Sequence, residues 1–297
     1  MPSEINWSML VSRIKNGKCT PFLGAGACAG VLPLGRALAQ KWAQTYGYPL
    51  DDSSDLIRVS QYIAVTQDPM WPREEIVREF AQVGEPDFAN PLEPHGLLAD
   101  LPLPIYMTTN YDDFMMRALR HRQRAPVQAL CRWNDFLRAN TKSPFEDRTF
   151  EPSATNPVVF HLHGHNGVPE SLVLTEDDYL DFLVELTRNT DHQMLPPRIE
   201  QALSGTSLMF LGYAVSDSDF RVLFRRLVGY LTRSIARVHV SVQLAPGSSD
   251  MSDERKQKAL EYLSQYFGNL QIQVYWGTCQ QFVAELRKRW EASHVNA

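Results

Sequence analysis

A short apolar run that breaks into closely spaced glycines restricts this chain more than any other stretch. Thr20-Pro-Phe-Leu-Gly-Ala-Gly-Ala-Cys-Ala-Gly30 reads as a buried strand that turns through Gly24, Gly26 and Gly30 into a helix over Leu34–Tyr46. A strand entering a helix through glycines brings bare backbone N–H groups and the positive end of a helix to one point. That is a ready seat for a pyrophosphate. A tight turn with no ligand is the other reading, because many α/β proteins join strand to helix this way.

Further short apolar runs read as buried strands: Pro104–Thr109, Pro157–Leu162, Ser207–Leu211, Ile235–Leu244 and Leu270–Tyr275. With Thr20–Leu23 they make about six. Helical spacing separates several of them, over Tyr111–Arg120, Phe220–Tyr230, Glu254–Tyr266 and Thr278–Trp290. The alternation predicts an α/β fold, a Rossmann-like parallel sheet with helices on both faces. Between Asp51 and Phe88 the spacing is helical and no strand is evident. The expected organisation is one domain over 1–297, with a core of 1–48 and 95–297. A smaller helical module is inserted at about 49–94, and 176–203 is a candidate addition to it.

Bulk properties exclude several classes. A net charge of −5 gives no electrostatic footprint for direct nucleic-acid binding. The local cluster Arg117, Arg120, Arg122 and Arg124 reads first as a solvated helix end and second as a phosphate patch. Cys19, Cys28, Cys131 and Cys279 never fall in a Cys-x-x-Cys pair, which argues against a disulfide framework or a zinc ribbon. No signal peptide is visible, and no apolar run approaches the roughly 18 residues of a membrane span. The expectation is a cytoplasmic protein with no membrane association.

Three later stretches fall at the carboxyl ends of strands, where open parallel sheets bind ligands. Thr108-Thr-Asn-Tyr-Asp112 gathers hydroxyls, an amide and a carboxylate in one turn, suited to ribose hydroxyls or an ordered water. Asn110 or Asp112 also suits the cap of the next helix. In Phe160-His-Leu-His-Gly-His165, alternation puts His161, His163 and His165 on one face if the strand persists that far. They fit a metal site, although the motif offers no acidic ligand, or a general base that titrates near neutrality. In Phe210-Leu-Gly-Tyr-Ala-Val-Ser-Asp-Ser-Asp-Phe220, Gly212 lets backbone approach a ligand, and Ser216, Asp217 and Asp219 suit helix capping or a ribose.

Taken in order, Gly24-Ala-Gly-Ala-Cys28, Thr108-Thr-Asn-Tyr-Asp112, His161-Leu-His-Gly164 and Leu211-Gly-Tyr213 resemble the sirtuin family. They are closer still to its bacterial branch that hydrolyses NAD in anti-phage defence, as is Tyr275-Trp-Gly-Thr-Cys-Gln-Gln-Phe282. The resemblance implies NAD as substrate, with no metal. Gly24, Ala25 and Gly26 would follow the pyrophosphate, with Cys28 in the same turn. Thr109, Asn110 and Asp112 would form the nicotinamide-ribose pocket, and His163 would be the catalytic base. Gly212 and Tyr213 would line the ribose and adenine side.

Departures from the family bear on activity. No four-cysteine zinc ribbon can form, Cys28 stands where sirtuins usually carry serine, and Gly30-Val-Leu-Pro-Leu-Gly-Arg36 replaces their Gly-Ile-Pro-Asp-Phe-Arg loop. These changes favour an NAD hydrolase releasing nicotinamide and ADP-ribose over an NAD-dependent protein deacylase. A non-catalytic NAD or ADP-ribose sensor and a metal-dependent hydrolase are further alternatives. The resemblance also implies a HerA-type hexameric ATPase as partner, and homo-oligomerisation.

Overall fold

The structure is a computed structural model and describes residues 5–188, 194–213, 239–245 and 252–295. The expected helix Phe220–Tyr230, the Ser216, Asp217 and Asp219 turn, and the first part of the Ile235–Leu244 strand lie outside the described residues. Among the described residues no helix is long and apolar enough to cross a membrane.

Strand β1 (Cys19–Leu23) is buried along its whole length, as its unbroken apolar character requires. It lies at the middle of a seven-stranded sheet with β2 (Ile105–Thr108), β3 (Val127–Leu130), β4 (Val158–His161), β5 (Ser207–Leu211), β6 (His239–Gln243) and β7 (Ile272–Trp276). The order is β3-β4-β2-β1-β5-β6-β7, and every pairing is parallel. β1 matches β5 from Cys19 to Leu23 but pairs with β2 only at Phe22 and Leu23, beyond Pro21, which has no N–H to give. The chain leaves β1 toward β2 and later returns to place β5 on the other side. That reversal makes the carboxyl ends of β1 and β5 the switch point of the sheet.

The sheet holds one strand more than the six expected. β3 was missed because it is a four-residue edge strand, half exposed and without an apolar run. Helix α7 (Asp135–Asn140), likewise short, also carried no periodic signal.

Helices cover both faces. Cys19 and Leu23 of β1 pack with α1 (Trp7–Lys15), α5 (Pro94–Asp100), α6 (Phe114–His121) and α11 (Cys279–Val295) on one side. Phe22, Phe160 and Phe210 face the other, against α7, α8 (Glu176–Arg188), α9 (Pro197–Gly205) and α10 (Asp253–Gly268). A third cluster joins Leu38 and Trp42 of α2 (Gly35–Tyr46) to Val59 and Ile63 of α3 (Leu56–Thr66) and Ile76 of α4 (Trp71–Ala81). α8 reaches this cluster through Gln61–Asp177 hydrogen bonds and a 2.5 Å Arg73–Asp178 ion pair, yet it also sends Phe182 and Leu186 to the sheet.

Within the arginine cluster, Arg117 pairs with Asp113 and Arg122 with Asp100. Arg124 donates to the carbonyls of Ala99, Leu101 and Leu103. These three guanidinium groups are occupied within the fold, and Arg124 closes the turn between α5 and β2.

Candidate functional site

Two turns meet at the switch point. After β1 the chain enters a single 3-10 turn, Ala25–Cys28, and after β5 it reaches Gly212. Gly24 N–H donates to Leu211 O (2.8 Å) and Gly26 N–H to Gly212 O (2.9 Å). A Cβ on Gly24 would stand 2.8 Å from the Tyr213 ring, and one on Gly26 2.9 Å from Gly212 Cα. The glycines therefore permit backbone to lie against backbone. The two amides expected at a pyrophosphate already donate within the fold, and Ala25 is the exposed residue of the turn. Tyr213 fastens the arrangement: its hydroxyl donates to Leu23 O (2.7 Å) and lies 2.9 Å from Thr109 Oγ1, tying three strand ends together. Burial pushes the Tyr213 phenol well above its ordinary range.

Beneath the glycine turn, side chains from distant parts of the sequence converge. Asn110 donates from Nδ2 to Gly24 O (3.1 Å) and to Cys28 Sγ (3.2 Å), while its own N–H is held by Thr108 Oγ1. The Cys28 thiol donates to Asp112 Oδ2 (3.3 Å). Asp112 Oδ1 accepts from Phe114 N–H at the start of α6, so this carboxylate both caps a helix and faces the cluster. Burial, and after it the Asp112 carboxylate, push the Cys28 thiol well above its usual pKa, which keeps it a neutral donor.

The sequence reading missed His95 and Glu93. His95 is 1% exposed and stands in α5 with Nε2 3.9 Å from Cys28 Sγ, while its Nδ1 is 2.6 Å from Glu93 Oε1. The available signal was a lone histidine at the head of the apolar stretch Pro94-His-Gly-Leu-Leu-Ala99. A buried polar residue of that kind needs a partner.

The three motif histidines do not share a face. β4 ends at His161, and Gly164, at φ +89°, bends the chain so tightly that a Cβ there would meet Ser171 O at 2.1 Å. His161 and His165 meet edge to face at 4.8 Å. His163 instead packs on Phe182 at 4.9 Å and Tyr179 at 6.3 Å, and its buried Nε2 has no hydrogen-bond partner among the described residues. Burial lowers His163 to about 4, leaving a neutral imidazole at pH 7, and lowers His161 to about 3.

The His161 shift has a consequence for stability. Its folded pKa lies below the 6.5 of the free side chain, so the unfolded chain takes up the proton first as pH falls. Its stabilising contribution is complete above 6.5 and declines toward 3. Urea unfolding should show a loss of about 2 kcal/mol from this residue between pH 7 and pH 5. His161→Asn should remove that share of the slope and leave the share of His163, which is lowered to about 4; an unchanged slope would show that His161 is not buried as a neutral ring.

Residues 104–267 match the SIR2-like domain, more than half of the chain. NAD(+) hydrolase ThsA of Acinetobacter baumannii (strain 532279) is 22% identical over 304 residues, covering 96% of this chain and 56% of that protein. NAD(+) hydrolase ThsA of Bacillus cereus (strain MSX-D12) is 25% identical over 213 residues, 69% of this chain and 39% of that protein. The chain thus spans about half or less of the length of these curated relatives. A structure solved in work on the mechanism and regulation of Sir2 enzymes aligns with a TM-score of 0.45 and 12% identity, over 97% of this chain and 98% of that one. With more than half its length matched by the domain, this chain belongs to the SIR2-like family.

Proposed function

We propose that this protein hydrolyses NAD at the nicotinamide–ribose bond to give nicotinamide and ADP-ribose. The observation that carries the reading is the convergence of Asn110, Asp112 and Cys28 beneath the glycine turn at the switch point of a parallel sheet. SIR2-like membership and the relatives named NAD(+) hydrolase support it.

The bond breaks through an oxocarbenium-like state with nicotinamide as a neutral leaving group, so the site must orient the ring, stabilise developing positive charge and deliver a water. In this reading Asn110 orients the water and ribose, and Asp112 supplies negative charge beside the reacting carbon. The motif resemblance assigns the proton to His163, a buried neutral ring packed on Phe182 and Tyr179. Gly24, Ala25, Gly26, Thr109, Gly212 and Tyr213 form the walls along which the dinucleotide lies. The chemistry needs no metal. The physiological role we propose is NAD depletion in anti-phage defence, with a HerA-type hexameric ATPase as partner. The support for that role is the motif resemblance; the relatives' names speak of NAD hydrolysis.

Incubation of the purified protein with NAD, alone and with the ATPase, followed by chromatography of the products, tests the reading. Nicotinamide and ADP-ribose are expected in equal amounts. Saturable NAD binding without turnover would replace the hydrolase by a sensor. Transfer of an acetyl group from an acetyl-lysine peptide to ADP-ribose would replace it by a deacylase.

A further inference from the structure

The cluster beneath the glycine turn brings a thiol, an imidazole and a carboxylate within reach of one another. Cys28 Sγ stands 3.3 Å from Asp112 Oδ2 and 3.9 Å from His95 Nε2, and the three ligand atoms lie within 4.8 Å of one another, all buried. With its proton on Nδ1, facing Glu93 Oε1 at 2.6 Å, His95 turns a lone pair on Nε2 toward the sulfur. The single thiol proton can serve Asp112 or His95, not both. Asp112 is buried and Glu93 half-buried beside it, and neither has a Lys or Arg ion-pair partner among the described residues. Burying negative charge without a compensating cation is costly.

We infer that Cys28, His95 and Asp112 form a binding site for a thiophilic divalent cation such as Zn2+, and that its occupancy shuts off the adjoining pocket. A sulfur, an imidazole nitrogen and a carboxylate oxygen are a mixed donor set that zinc accepts. Tetrahedral bonds of about 2.3 Å to sulfur and 2.0 Å to nitrogen set those two atoms about 3.5 Å apart, close to the 3.9 Å found here. The outer arrangement is present as well. Glu93 on His95 Nδ1 is the carboxylate–histidine pairing that fixes a ligand tautomer, and Asn110 Nδ2 already donates to the sulfur.

Binding forms one bond each to sulfur, nitrogen and oxygen, displaces waters from the hydrated ion and releases the thiol proton to solvent. Nothing is oxidised. Thiolate and Asp112 together neutralise the dication, so the ligand shell changes from one net negative charge to none. The ion is not a cofactor of the hydrolysis. It claims Asp112 as a ligand and holds Asn110 against the thiolate, and so it inhibits. That second half rests on the NAD-hydrolase reading; the site itself does not.

The test titrates the full chain, kept reduced with a phosphine, with Cd2+ and then Zn2+. One Cd2+ per chain should bind with a thiolate-to-metal charge-transfer band, and Zn2+ should displace it. Cys28→Ser should abolish the band, and His95→Gln should weaken binding by about tenfold or more. X-ray absorption on the zinc-loaded wild-type chain reads the ligands without any variant and should show one sulfur with nitrogen and oxygen neighbours. A band that survives Cys28→Ser, a shell without sulfur or with several sulfurs, or no saturable binding would overturn the site. In a parallel assay one equivalent of Zn2+ should lower NAD turnover at least tenfold, with a chelator restoring it. Turnover unaffected by a bound ion would overturn the inhibitory role alone. A chain that binds the ion but never cleaves NAD would refute the hydrolase reading and leave the site standing.

Discussion

Replacement of Asn110 by alanine should lower NAD turnover by about a hundredfold to a thousandfold while leaving the protein folded. The side chain is 9% exposed and spends its amide on Gly24 O and Cys28 Sγ, so it is held in one orientation before any substrate arrives. With both Nδ2 protons spent, Oδ1 is left as a fixed acceptor for a water or ribose hydroxyl. A preorganised polar group of this kind is worth about 3–4 kcal/mol of transition-state stabilisation, far more than a hydrogen bond contributes to folding. The stability cost should be about 1 kcal/mol, a few degrees in melting temperature for a chain of this size. The loss should fall on kcat, with KM for NAD changing much less. Turnover within twofold of the parent would remove Asn110 from the proposed machinery. A collapse of both activity and thermal transition would instead mark it as a structural pin.

The second large effect concerns stability. Gly212→Ala should cost about 4 kcal/mol or more, a large share of the roughly 5–15 kcal/mol that keeps a domain folded. Two causes combine. At φ +81° any side chain is strained, and the added Cβ would lie 2.3 Å from Ala27 N and 2.6 Å from Gly24 O. Both neighbours are backbone, so no rotamer change relieves the clash. Gly30→Ala provides the control. Its φ of +91° carries a comparable conformational penalty, but nothing lies within 4 Å of the added atom. Guanidinium unfolding should separate the two variants by at least about 2 kcal/mol. Equal midpoints would mean that the turns after β1 and β5 do not touch as described.

The parts of this molecule that could be read from sequence share a physical character. The central strands are continuous apolar runs because both faces of the sheet are covered, and each stands out without its neighbours. β3 does not, since an edge strand with exposed Gln128 needs no such run. Cys28, Asn110 and Asp112 were legible as motifs, and the parallel register of β1 and β2 brings them together. His95 and Glu93 were not, because their link to Cys28 exists only once α5 folds onto the sheet. A shared face for the histidines depended on the strand persisting, and it does not: β4 ends at His161, so His163 packs on Phe182 while His161 and His165 meet each other. The glycine amides illustrate a limit of a different kind. Sequence shows that a bare backbone is needed, but not whether its neighbour is a ligand or another turn.

The central place of β1 has a consequence for synthesis. Leu23 pairs with Thr108 on one side and Leu211 on the other. β1 therefore gains its second neighbour only when β5 has been made, and such long-range closure is intrinsically slow. The wall formed by Gly212 and Tyr213 is missing until synthesis has passed β5. An unfinished polypeptide would thus carry the glycine turn and Asn110 without that wall, so the NAD cleavage proposed above would wait until synthesis has passed β5.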